Sequence, residues 1–188
     1  MSCDLSLDLT FDCTSPESAV VKDSVYLLPY DSLDSSDLIY NSTDAFQLDS
    51  IGLVTGSEAV KYLVAPDTVI ATIANVAGAN GVNGFSHSVA LTIPTKTAAA
   101  REEVRLLNNK KVVLVLQSGS GEFLVYGLDA GLKISELANT RGDENGDVVT
   151  LTMATAEGRK EPTMEVTLLA TDEAGTVTLL ENLLTTQV

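Results

Sequence analysis

Phe85, His87, Val89, Leu91 and Ile93 alternate with Ser86, Ser88, Ala90 and Thr92, the period-two pattern of a strand with one buried face. Pro94 ends ladder pairing, and Thr95 or Thr97 offers a side-chain oxygen to cap a helix running from about Lys96 to Asn108. Within it Ala100, Val104 and Leu107 fall one above the other, giving the helix an apolar stripe to lay on a sheet. Lys111 to Gln117 follows as a more continuously apolar strand, Ser118 to Gly121 as a turn, and Glu122 to Tyr126 as a third strand in hairpin register.

The cleanest alternation lies at the start of the chain. Cys3, Leu5, Leu7, Leu9, Phe11 and Cys13 interleave with Asp4, Ser6, Asp8, Thr10 and Asp12, so one face is core and the other acidic. The acidic face of Asp4, Asp8 and Asp12 suits a sheet edge, where charge discourages unwanted pairing, or the wall of a lumen. From Thr14 to Asp49 the pattern loosens, with Val25 to Leu28 a short strand stopped by Pro29. Asp31, Asp34, Asp37, Asp44 and Asp49 are interspersed with serines there, and Tyr40 and Phe46 are among the apolar anchors. Residues 14–50 therefore read as a long arm or loop excursion that docks on a neighbouring subunit or on its own domain. Ser57 to Val64 is ambiguous, and Asp67 to Asn75 is β-branched enough for a strand. The stretch AGANGVNG holds Gly78, Asn80, Gly81, Asn83 and Gly84, the residues of a hairpin loop with positive-φ positions.

Beyond Gly127 the pattern predicts a turn-rich segment from Leu128 to Ala138 and an exposed hairpin tip from Thr140 to Asp147. Val148 to Ala156 and Thr163 to Ala170 read as strands joined in a hairpin by EGRKEP. Thr176 to Leu180 reads as a last strand entered by a turn at Gly175, and the leucines of ENLLTTQV suit docking.

At 188 residues, 45% of them hydrophobic and 20% charged, the chain suits one globular domain, 1–188. It has no apolar run long enough to span a bilayer, and the acids of MSCDLSLDLTFDC do not match a signal peptide; cytoplasmic synthesis is expected. The formal charge is −15, and residues 1–60 hold 11 acids against one base. Such a surface repels phosphate backbones, which excludes tight DNA binding yet suits a conduit through which DNA slides without sticking.

Motifs that carry chemistry are missing. Cys3 and Cys13 on one straight strand would stand roughly 33 Å apart, beyond disulfide reach. Two thiols and one histidine do not make a zinc site. Asp143, Asn145 and Asp147 have the first three spacings of a calcium loop, but Val148 stands where glycine is needed and the closing Glu is missing, so no metal is expected. The Arg141-Gly142-Asp143 triplet reads as a turn. AGANGVNG lacks the Lys-Ser/Thr pair and following helix of a phosphate loop. The single histidine, His87, lies on the apolar parity of its strand, where a core histidine bonded to backbone is the economical reading. No catalytic residue and no cofactor are expected, and a non-enzymatic function follows.

The run FSHSVALTIP, a short helix, VVLVLQSGSGEFLVYG, GLDAGLKI and DENGDVVTLTMATAEGRKEP, from Phe85 to about Ala170, resembles a family of bacteriophage virion proteins with the tail-tube type fold, notably from phages of Bacteroides-like gut bacteria. The segment up to Asn83 does not align with that pattern. The resemblance implies a mainly β fold, a β-sandwich or barrel of tail-tube type with one flanking helix and a long N-terminal or inserted arm. It implies a virion structural protein, part of the tail or a connector, assembled in the host cytoplasm. The expected assembly is a homo-oligomeric ring, hexameric, around a DNA channel, joined to other tail or connector proteins, with genome DNA passing unbound and no membrane partner. Under it Asp31, Asp34, Asp37, Tyr40, Asp44, Phe46 and Asp49 form the inter-subunit arm. Asp4, Asp8 and Asp12 face the lumen. The loops of Gly78, Asn80, Gly81, Asn83 and Gly84 and of Asp143, Asn145 and Asp147 meet neighbouring rings. A non-enzymatic β-sandwich binding module of adhesin type is the alternative, its ligand taken by those same loops.

Overall fold

The computed structural model describes residues 21–64, 68–77, 83–94, 98–143 and 146–184. Asp4, Asp8 and Asp12, and with them the predicted first strand, lie outside the described residues, as do Gly78, Asn80, Gly81 and Asn145. The fold is mainly β. In chain order the elements are β1 (Val21–Pro29), a 3-10 turn (Tyr30–Ser32), β2 (Ile39–Tyr40), β3 (Gln47–Ser50), β4 (Val60–Leu63), β5 (Ile70–Val76) and β6 (Gly84–Pro94). There follow α1 (Ala98–Leu107), β7 (Val112–Ser118), β8 (Phe123–Tyr126), β9 (Leu132–Asp143), β10 (Gly146–Thr155), β11 (Val166–Leu168) and α2 (Glu173–Asn182).

All eleven strands join one mixed sheet, and the sheet forks at β7. Along one side β7 pairs with β1, from Val112 opposite Pro29 to Leu116 opposite Val25, and β1 pairs with β4. Along the other side it pairs with β8 over Leu114–Gln117 and then, at Val112 alone, with Leu132 of β9. β8 continues outward to β11, β3 and β2. β9 instead turns away to pair with β10, which leads to β6 and β5.

The fork explains why β7 and β1 are apolar at successive positions rather than alternate ones: they are buried on both faces. Leu27, Leu114 and Leu116 point into a core shared with Val89, Leu91, Leu151 and Met153, so the second branch folds back over the first as a sandwich. Tyr26, Leu28, Val113 and Val115 point the other way, into a core with Leu48, Phe123, Val125, Leu168 and Leu180. Each such leucine, fully removed from water, contributes about 1.5–3 kcal/mol. Helix α1 lays Val104 and Leu107 on the first core, the stripe expected from the sequence.

Three expectations need correction. Thr176–Leu180 is not a strand but the middle of α2: Asp172 accepts a hydrogen bond from the Gly175 N–H (2.7 Å) as N-cap, and Thr176 and Leu180, one turn apart, face the core. The described residues therefore hold two flanking helices instead of one. Leu128–Ala138 holds a single tight turn, after which Leu132 begins the longest strand among the described residues. β10 and β11 do not form a hairpin; β10 pairs with β9 and β6, while β11 lies between β8 and β3, parallel to β3. The described part of the predicted excursion, residues 21–50, holds β1, which extends the expected Val25–Leu28 strand and reaches both cores, followed by the short β2–β3 hairpin.

Candidate functional site

A polar cluster, largely buried, lies at the turn that leads into β9. Between Tyr126 and Leu132 the chain makes a tight turn closed by Gly131 N–H to Gly127 O (3.1 Å). Gly127 sits at φ +77°, and a Cβ there would meet Leu132 Cγ at 2.5 Å, so only glycine fits. Glu161, 1% exposed, caps the turn: its carboxylate accepts from the N–H groups of Asp129 and Ala130, both at 2.9 Å. The Tyr30 hydroxyl donates to the Asp129 carbonyl from the opposite side. Burial pushes the Asp129 carboxyl above its ordinary range.

His87 completes the cluster. Its Nδ1 accepts from the Gly127 N–H (3.1 Å) and its Nε2 lies 3.2 Å from the Thr163 carbonyl, which fixes the neutral tautomer with the proton on Nε2. Its ring meets Tyr126 edge-on, centroids 5.6 Å apart. Burial, with the Glu165 carboxylate adding, pushes the Tyr126 hydroxyl up to about 12. Both histidine nitrogens are occupied by backbone groups, as expected of a core histidine. Sequence reasoning missed Glu161, which sits in the charged run EGRKEP and gives no local sign of its burial.

Gly84 belongs to the same region. It opens β6 and is buried, and a Cβ on it would approach Lys160 Cβ to 2.8 Å and the Glu161 carbonyl to 2.9 Å. Phe85 and Glu161 exchange backbone hydrogen bonds there, at 2.9 and 2.8 Å, which holds the Glu161 carboxylate at the turn. The preceding Asn83 is exposed.

On the other branch, β9 outruns its support. Val112 is its one partner on β7, and from Lys133 to Thr140 it is paired on the β10 side alone among the described residues. Lys133 and every residue from Ser135 to Thr140 are exposed, including Leu137 at 45%. Asp143 and Gly146 pair at the tip, and Asp147 lies in β10. On the face toward α1, Leu137 and Asn139 join Val149, Val104, Arg101, Arg105 and Asn108 around an open groove of about 370 Å³. Two guanidinium groups and no carboxylate line it. Arg105 also reaches Glu102, one turn back on α1 (2.6 Å), which raises the one group's pKa and lowers the other's.

The predicted arm residues gather at the opposite branch. Asp31 is in the 3-10 turn, and Asp34 Oδ1 accepts from Ser36 N–H (2.8 Å) and Oγ–H (2.6 Å), which lowers its pKa. Asp37 packs beside Gly52, where a Cβ would meet its own Cβ at 2.6 Å. The loop between β2 and β3 is held by side chains: Asn41 Oδ1 accepts from the N–H groups of Thr43 and Asp44, and Asp44 Oδ1 from that of Phe46 (2.8 Å). Asp49 accepts from Asn41 Nδ2 (2.9 Å) and Gln47 Nε2 (3.1 Å). Ile39, Tyr40 and Phe46 are exposed on this hairpin, Phe46 at 57%. Partial burial, with the charges of Asp129 and Glu161 adding, raises the pKa of the Tyr40 hydroxyl.

A second set of polar ties fastens the helices. Lys61 of β4 meets Glu181 of α2 at 2.7 Å and lies over the Tyr26 ring, whose hydroxyl donates to the same Glu181 oxygen (3.2 Å). The Tyr62 hydroxyl donates to Glu103 of α1 (3.1 Å), and burial raises its pKa strongly. Among the described residues no group of three or more His, Cys, Asp or Glu converges as metal ligands would, and no helix is long and apolar enough to cross a membrane.

No protein-family model matches the sequence, and no characterised protein matches it. Among solved structures the chain is similar to one from the tail of an empty GTA particle refined with C6 symmetry, with a TM-score of 0.38 and 11% identity over 69% of this chain and 98% of that one. It is likewise similar to a chain of the virion of a native gene transfer agent particle, with a TM-score of 0.37 and 12% identity over the same shares.

Proposed function

We propose that the chain is a non-enzymatic structural subunit of a phage-like tail, assembling with further copies into a ring, six subunits to the turn, around a DNA channel. The resemblance of the Phe85 to Ala170 run to tail-tube proteins supplies the class. The observation that carries it in the fold is the unsupported length of β9, exposed on both faces from Ser135 to Thr140 and, among the described residues, unpaired along one edge from Lys133 to Thr140. An extension of that kind loses backbone hydrogen bonding and apolar burial in a lone molecule and regains both when a neighbouring copy continues the sheet. The net charge of −15 suits a wall past which DNA moves without adhering. Mass photometry with negative-stain microscopy, over a range of concentration and salt, tests the reading. Closed rings or stacks of rings are expected; a monomer at every condition overturns it.

A further inference from the structure

Two surfaces on this molecule complement each other in charge and in apolar character. Residues 31–50, which hold the β2–β3 hairpin, carry five aspartates and no basic residue around the exposed Ile39, Tyr40 and Phe46. The groove between α1 and β9 has an apolar floor of Val104, Leu137 and Val149, with Arg101 and Arg105 on its wall. The two lie on different branches of the forked sheet, the hairpin at the end of the β8 branch and the groove on the β9 branch.

We infer that the groove between α1 and β9 receives the β2–β3 hairpin of a second copy of this chain, with Phe46 as the anchor. The inference rests on the self-assembly proposed above and names the surfaces that carry it. Phe46 brings an aromatic ring to an apolar floor flanked by guanidinium groups, which favour aromatic faces and carboxylates alike. The hairpin is already ordered: the bonds from Asn41, Asp44 and Asp49 fix its loop, so docking costs little further entropy. The acids around Phe46 would rim the contact against Arg101 and Arg105, leaving the ring at the desolvated centre where binding energy concentrates. Since the donor and acceptor surfaces differ, the contact is head-to-tail, and a head-to-tail contact generates rings when its rotation closes.

Two surface variants test this directly: Phe46→Ser, which empties the hairpin tip, and Arg105→Glu, which reverses charge in the groove. Leu137→Ser serves as a second groove variant should Arg105→Glu fail to fold as judged by circular dichroism. Each variant alone should raise the concentration for half-assembly, read by mass photometry, at least about tenfold. Mixed in equal amounts at a concentration where neither assembles, Phe46→Ser offers an intact groove and Arg105→Glu an intact hairpin. The mixture should give pairs and nothing larger. Folded variants that assemble at the wild-type concentration, or a mixture with no pairs, overturn the docking while leaving ring formation standing. A wild-type chain that never assembles overturns both.

Discussion

Replacing Glu161 with Gln removes one charge and one acceptor at the point where the sheet forks. In the native molecule the carboxylate accepts two N–H groups at 2.9 Å, from Asp129 and Ala130, and the residue is 1% exposed. Glutamine keeps one carbonyl oxygen and places an amide donor against the second N–H, so one buried donor loses its partner. A hydrogen bond to a charged group contributes about 1.5–3 kcal/mol, and a buried unsatisfied donor costs about 1–3 kcal/mol. The two overlap, and relief of the buried charge offsets part, which leaves a net loss of about 2–3 kcal/mol. For a chain of this size that lowers Tm by roughly 4–12 °C. Thermal unfolding followed by circular dichroism measures the loss, and hydrogen exchange at the Asp129 and Ala130 amides locates it. Glu102→Gln, at an exposed pair on α1, is the control and should leave Tm unchanged. A Glu161→Gln protein with wild-type Tm and protected Asp129 and Ala130 amides would refute the idea that this carboxylate holds the fork.

Gly84→Ala should cost about 1–3 kcal/mol by denaturant unfolding, because its Cβ would fall 2.9 Å from the Glu161 carbonyl, a backbone atom that cannot step aside. Stability should fall as pH rises above about 10, where tyrosines ionise in the unfolded chain. Tyr26, Tyr40, Tyr62 and Tyr126 hold their protons more tightly in the fold, Tyr126 to about 12, so the stabilisation is intact below pH 10 and is lost on rising through that interval. Absorbance titration at alkaline pH checks this; tyrosines ionising together near 10 with the fold intact would contradict it. Glu181→Gln should cost under about 1 kcal/mol, since its pair with Lys61 is largely solvated. Hydrogen bonding from Lys61 lowers the Glu181 pKa, so that small contribution is present above the ordinary carboxylate range and disappears as pH falls through the folded value; the variant should flatten the acid limb of a stability profile.

Where one face of an element meets a core, the sequence announced it. Val89, Leu91 and Ile93 are buried on one face of β6 as their alternation required, and the unbroken apolar run of β7 reflects its two cores. His87 was legible as a core residue from its parity alone. β9 was not legible as a strand because Ser135 to Thr140 are exposed on both faces, so no period-two signal could arise. α2 was misread because β-branched Thr176, Val177 and Thr178 suggested a strand, while the Asp172 cap and the one-turn spacing of Thr176 and Leu180 carry the helical information. The placement of β11 between β8 and β3 rests on pairing far along the chain, which a local hairpin rule does not see. Glu161 was hidden for a related reason: its partners, Asp129 and Ala130, come from a turn 32 and 31 residues earlier.

The edge of β9 that has no partner among the described residues is the point on which the functional reading turns, and its backbone amides report on it. Hydrogen exchange should be measured by mass spectrometry on peptides covering Lys133 to Thr140, at concentrations below and above the onset of assembly. Exchange there should slow sharply on assembly, at least about tenfold, while the β7 core stays protected throughout. Exchange along Lys133 to Thr140 that is equally fast in dilute and concentrated protein would contradict the account, because the edge would then have no neighbour to complete it.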